Sequence, residues 1–230
     1  MHFKPTGSIL TIAAFLLFAV NAQKTDSEFK KNIKLGNFYY DSPNPTTKTD
    51  DEAIYYFEKA ISQSSLGPDK AFEMVGAATK VGILHQTYQR YPEAKKKYSE
   101  ALNIHQKYHT HDSTVYLANL YLGMLNYYSN DFAQCYFYLN HAEQIFQKYK
   151  LKKNSESLFN TLGVLYFDSG NYRQSINYFT KAQDIELKNT GKKSNIALQS
   201  NLATALRHLG ENQKALEIYS NILKENPTET

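Results

Sequence analysis

The sequence predicts an all-α chain built from about five helix–turn–helix units, and three observations carry that prediction. First, a small residue, a bulky one four positions on and a small one three further recur as Ala53-Phe57-Ala60, Ala94-Tyr98-Ala101, Cys135-Leu139-Ala142 and Ser175-Phe179-Ala182. A fifth set, Ala215-Tyr219-Ile222, departs only in its last member, and successive first members lie 41, 41, 40 and 40 positions apart. Second, Gly82, Gly123, Gly163 and Ala203 stand twelve positions before the last four first members, each behind Val81, Leu122, Leu162 or Leu202. Third, turn-formers separate the two halves of the later units: "SND" at 129–131, "SGN" at 169–171 and "LGEN" at 209–212. Spacings of four and seven put side chains on one helical face. Small residues on two antiparallel helices let the backbones approach, and bulky ones interdigitate beside the contact. One such pair cannot bury its apolar stripe alone, so neighbouring pairs must stack.

Taken in chain order, residues 1–22 read as an export signal. Lys4 lies in a short polar start, Ile9 to Val20 is apolar apart from Thr11, and Val20 and Ala22 supply small residues at cleavage spacing. A stretch this short does not span a bilayer core, which needs roughly 20 residues. Cleavage is expected before Gln23, leaving 23–230 as the mature repeat domain in the bacterial periplasm or outside the cell, with no stable membrane insertion. The residue directly after the cleavage position is Gln23 and not a cysteine, so a lipid anchor is not supported. In the first unit, helix A is expected to include Leu35, Gly36 and Tyr39. A loop at 41–51 follows, because Pro43 and Pro45 bar helix continuation. Tyr91, Phe132 and Tyr172 precede the small positions by three and are expected near the starts of the second helices, with Pro92 suited to a first turn. Tyr136, Phe137 and Tyr138 flank inward positions on the third unit's second helix. They are read either as packing against the adjacent unit or as a docking patch.

The formal charge of +4 is a mild excess and does not indicate a nucleic-acid partner. Nineteen tyrosines and thirteen phenylalanines, with no tryptophan, make aromatic rings a main source of core volume. Cys135 is the only cysteine, so no intramolecular disulfide is possible and the residue reads as a small buried apolar group. There is no glycine-rich phosphate cradle, no G-x-S-x-G, no H-E-x-x-H and no cysteine pair, and repeats fill the mature chain. The chain is therefore expected to be a non-enzyme that needs no cofactor. One cluster keeps a metal reading open: His105, His109, His111 and Asp112 could bind zinc or copper, or could simply cap and solvate a junction between units.

"NTLGVLYFDSGNYRQSINYFTKA", residues 160–182, with Leu162, Gly163, Tyr166, Gly170 and Tyr172 in register, resembles the tetratricopeptide repeat (TPR) family, and Pro227 matches the family's terminal proline. The resemblance covers nearly all of the expected mature chain in five registered units. It implies a right-handed α-solenoid, with helices about three residues longer each to account for intervals of 40–41. The family's aromatic near the start of helix A survives only as Phe159, with Asn119 and Gln199 at the equivalent sites. The resemblance also implies that the first helices of each unit line a concave groove. Its residues here would be Leu120, Tyr121, Met124, Tyr127 and Tyr128, then Ser157, Asn160, Thr161, Val164, Phe167 and Asp168, then Ser200, Asn201, Thr204, Arg207 and His208.

Such a groove implies an extended peptide or helix of another protein as the partner. The family's clamp for C-terminal carboxylates is not supported, because Thr79, Ile83, Tyr121, Ser157 and Thr161 occupy the corresponding sites and none is positively charged. The expected function is an exported interaction scaffold. Alternatives are a sensory or regulatory input module of a larger signalling protein, and metal binding at His105, His109 and His111. A last helix with apolar residues left uncovered gives self-association as a further expectation.

Overall fold

A computed structural model describes residues 7–63, 67–152, 154–192 and 195–225, with the side chains of residues 7–22 and 24 outside the description. The expected leader thus falls largely outside the described side chains. Among the described residues the chain is helical throughout, with ten α-helices, and its contacts divide it into two compact units, 1–118 and 119–230.

The first unit holds α1 (Gly7–Tyr40), α2 (Thr47–Ile61), α3 (Ala71–Thr87) and α4 (Tyr91–Tyr108), with a 3-10 turn before α3 and another at Asp112–Val115. α1 packs on α2, α2 on α3, and α3 on α4. Its centre is Phe29, Phe57, Val75, Val81 and Tyr98, all buried. The second unit contains α5 (Tyr116–Tyr128), whose first three residues close the first unit, followed by α6 (Phe132–Tyr149), α7 (Ser155–Asp168), α8 (Tyr172–Thr190), α9 (Ile196–His208) and α10 (Asn212–Glu225). Here α6 packs on α7, α7 on α8, α8 on α9, and α9 on α10. Leu122, Leu139, Leu158, Leu162, Phe179 and Leu198 form its core.

One contact repeats in both units. A Cβ placed on Gly82 would fall 2.5 Å from Tyr98 Cε1, one on Gly123 2.6 Å from Leu139, and one on Gly163 2.5 Å from Phe179. The bulky member of each sequence set therefore lies directly on the glycine sixteen positions earlier, and no larger side chain fits without displacing it. Gly36 meets Phe57 at 2.6 Å in the same way, but at a separation of 21 residues. The connection between α1 and α2 has six residues against three in the later pairs, and α2 begins ten residues before its bulky member against seven.

The turn explains that difference. Seven positions after Gly82, Gly123, Gly163 and Ala203, the residues Gln89, Asn130, Gly170 and Gly210 all have positive φ, between 58° and 88°. The next residue's N–H then reaches back over the helix end in each case: Arg90 to His85, Asp131 to Asn126, Asn171 to Tyr166 and Glu211 to Leu206, all at 2.9 Å. This is a left-handed helix cap used four times in register. Seven positions after Gly36 stands Pro43, whose ring fixes a negative φ, so this cap is barred and a longer connection replaces it.

The loop is nonetheless shorter than the expected 41–51. α2 starts at Thr47, because Thr46 and Thr49 form a reciprocal capping box: the Thr46 hydroxyl accepts from Thr49 N, and the Thr49 hydroxyl accepts from Thr46 N. Helix lengths also depart from an even share. α5, α7 and α9 have 13, 14 and 13 residues, whereas α4, α6 and α8 have 18, 18 and 19. Tyr91, Phe132 and Tyr172 are the first residues of α4, α6 and α8, where the sequence placed them. Cys135 is fully buried, and burial pushes its thiol up to about 12, so it packs as an apolar residue.

Candidate binding groove

In the second unit α5, α7 and α9 share one face, and two cavities open along it. The first, about 140 Å³, is lined by Met124, Tyr127 and Tyr128 of α5 and by Ser157, Asn160, Thr161 and Val164 of α7. The second, about 220 Å³, is lined by Val164, Phe167 and Asp168 of α7, Phe179 of α8, and Asn201 and Thr204 of α9. Val164 is the wall between them.

Three pairings 41 positions apart tie the neighbouring helices together along this face. The Tyr127 hydroxyl donates to Asp168 Oδ2 at 2.6 Å, Asn201 Nδ2 donates to Asn160 Oδ1 at 3.3 Å, and the His208 ring meets Phe167 edge-on at 5.1 Å. His208 also packs on Tyr172 at 5.0 Å. Burial, reinforced by the Asp168 carboxylate, raises the Tyr127 hydroxyl well above its ordinary value, so it is a proton donor at every physiological pH. Thr161 and Thr204 return their hydroxyls to the carbonyls of Ser157 and Ser200 at 2.8 Å, and the Thr204 hydroxyl also meets Tyr219 OH at 2.8 Å. Their methyl groups are thereby free to line the surface. Tyr128 is 67% exposed, a large aromatic ring kept in water.

The sequence-derived groove residues are therefore distributed as follows. Met124, Tyr127, Tyr128, Asn160, Val164, Phe167, Asp168 and Thr204 line the two cavities. Arg207 and His208 are exposed at the end of α9. Tyr121 is half-buried, its hydroxyl accepting from Asn154 Nδ2 at 2.7 Å, and burial raises its pKa. It belongs to neither cavity. Leu120 is a correction: it is fully buried, because the middle of α5 is enclosed on most of its circumference, with Ala118, Asn119 and Leu122 buried as well. Phe179, read from the sequence as a core residue only, also forms a cavity wall.

The outer face of α6 presents Tyr136 and Phe137, both about half exposed. Tyr136 meets Tyr166 of α7 edge-on at 6.4 Å, and burial together with this partner pushes the Tyr166 hydroxyl up to about 12. Phe137 packs on His141 of its own helix at 4.4 Å. Tyr136 thus serves the adjacent helix, while Phe137 remains on the surface.

The histidine cluster does not assemble. His109 takes a left-handed conformation, φ 50°, to cap α4, so it ends the helix and does not continue the face that carries His105. His105 Nδ1 pairs with the Thr110 hydroxyl at 2.8 Å, His111 Nδ1 pairs with Ser113 at 2.7 Å, and Asp112 comes within 4.0 Å of His105 Nε2. Among the described residues no group of three or more His, Cys, Asp or Glu side chains could hold a metal ion. Nor is any described helix long and apolar enough to cross a membrane.

This architecture is that of a helical-repeat protein. The tetratricopeptide repeat family model matches residues 156–189, which take in α7 and most of α8. Solved structures share the fold at low identity. BtubC from P. vanneervenii is 16% identical with a TM-score of 0.65, over 90% of this chain and 92% of that one. YrrB, a TPR protein with an unusual peptide-binding site, is 15% identical with a TM-score of 0.62, over 91% and 93%. MamA is 16% identical with a TM-score of 0.61, over 86% and 92%. No curated protein matches the chain in sequence. Residues 156–189 are a tetratricopeptide repeat, and the chain has the fold of tetratricopeptide repeat proteins.

Proposed function

We propose that the protein is an exported interaction scaffold that holds a segment of another protein along the α5–α7–α9 face. The observation that carries this reading is the pair of adjoining cavities divided by Val164, with exposed Tyr128 at their rim. A concave surface with apolar walls and a few convergent polar groups is the form binding sites take. Carboxamides and hydroxyls from Ser157, Asn160 and Asn201 supply donors and acceptors for a partner's main chain, and Met124, Val164 and Phe167 supply contacts for its side chains. Tetratricopeptide repeats generally act as non-enzymatic scaffolds, and the peptide-binding site of YrrB supports binding as the role here. Export rests on the apolar stretch and small-residue pattern of residues 1–22.

Crosslinked pull-downs from the exported fraction test the groove. The Tyr128→Ala/Phe167→Ala protein, shown to be folded by circular dichroism, is expected to lose partners that the wild type retains. Unchanged recovery would reject the groove. N-terminal sequencing of the exported protein tests the leader: the expected first residue is Gln23, and an intact Met1 on protein confined to the cytosol would reject export.

A further inference from the structure

We infer that the second cavity takes a lysine or arginine side chain, so that the partner segment carries a basic residue close to an aliphatic one. This rests on the groove reading above and adds the chemistry of what binds there.

Asp168 is the last residue of α7, where the unsatisfied carbonyls make the helix end negative. A carboxylate there is unfavourable to the helix, and the last turn of α7 holds no basic residue to offset it. The equivalent end of α9 carries Arg207 and His208, the charges that a helix end favours. Asp168 is exposed and accepts one hydrogen bond, from the neutral Tyr127 hydroxyl, and among the described residues no cation is paired with it. An acid placed against its own helix, aimed by a tyrosine and left without a counter-charge breaks a local rule without a structural return. Such departures mark functional positions.

The rest of the cavity fits the same ligand. Asn201 commits one of its two amide N–H groups to Asn160, which leaves its carbonyl oxygen and one N–H open to a ligand. Thr204 spends its hydroxyl on Ser200 O and Tyr219 OH. The charged group of the cavity is therefore the Asp168 carboxylate, with the Asn201 carbonyl as a second acceptor, beside the rings of Phe167 and Phe179 and the Val164 side chain. A lysine or arginine lays its methylene stem on apolar walls while its charged head seeks acceptors. The first cavity, across Val164, offers Met124, Tyr128 and Val164 to an aliphatic side chain and Ser157, Asn160 and Thr161 to the adjoining main chain. In an extended segment alternate side chains point the same way, so an aliphatic residue two positions from the basic one would fill both cavities.

Selection of random displayed peptides on the purified full chain, followed by anisotropy with the consensus peptide, tests this. Wild type is expected to enrich lysine or arginine beside an aliphatic residue. Asp168→Asn keeps the acceptor for Tyr127 but removes the charge, and is expected to weaken the consensus peptide by about tenfold or more. Asp168→Lys is expected to select acidic residues instead. Asp168→Asn should not lower the melting temperature, because it keeps an acceptor for Tyr127 and removes an unfavourable charge from the end of α7. Enrichment of peptides without basic residues, or unchanged affinity in Asp168→Asn, overturns the inference. Val164→Tyr, which plugs both cavities, separates the two levels. If it abolishes binding while the Asp168 variants do not, the groove stands and the basic-residue assignment falls. If it too leaves affinity unchanged, or no peptide is enriched at all, both fall.

Discussion

The two units are built on the same contact but finish the same face differently. In the first unit, Lys80, two positions before Gly82, extends its ammonium to Asn37 Oδ1 at 2.6 Å and lies 4.7 Å from the Tyr40 ring centroid and 5.6 Å from that of Phe57. Asn37 is one position after Gly36. The same pair of positions in the second unit holds Thr161 with Met124, and Asn201 with Val164, and these line the first and second cavities. Where a long cation spans the space in one unit, short side chains leave it open in the other. Side-chain length at a single repeat position decides whether the face is closed on itself or open to a partner. The glycine seat beneath is common to both units.

If the seat is common, damage to it should be equally severe in either unit. Tyr98→Ala and Phe179→Ala are each expected to cost about 3–5 kcal/mol, read from urea unfolding, because each empties a site filled by a fully buried ring. A loss below about 1 kcal/mol in one of them would break the equivalence. Next in size, Gly82→Ala and Gly163→Ala place a methyl within about 2.5 Å of a ring carbon. They are expected to destabilise by about 1–3 kcal/mol, despite alanine's better helix propensity. The fifth set supplies the control: Ala203 already occupies the seat position, and Tyr219 lies partly exposed with its hydroxyl on Thr204. Ala203→Gly should therefore cost only about 1 kcal/mol, the helix-propensity difference. The position that closes the first unit's face carries a comparably small effect. Lys80→Met removes one charge-assisted hydrogen bond and a cation–ring contact, and is expected to cost about 1–2 kcal/mol.

Much of this framework is legible in the residues alone. The seat glycines and their bulky partners stand out because close packing admits no other size, and the turn-formers at 129–131, 169–171 and 209–212 coincide with the left-handed caps. The first pair was harder to register, because Pro43 replaces a cap residue and shifts Gly36 by five positions. The groove was legible as a set of helix positions but not as a surface. Leu120 and Val164 are both apolar residues on such helices, yet one is core and the other a wall. Whether a position is open depends on the reach of the side chain 37–43 residues away, as with Lys80 above Asn37, and periodicity carries no information on reach. The histidine cluster misled for a related reason: spacing put His105 and His109 on one face, but His109 ends the helix.

Asn201→Lys puts into the second unit the side chain that closes the first. Peptide affinity, measured by anisotropy alongside the melting temperature, tests the central claim most directly. A folded Asn201→Lys protein that melts with the wild type and has lost the selected peptide is the predicted result. The same protein binding that peptide with wild-type affinity would contradict it.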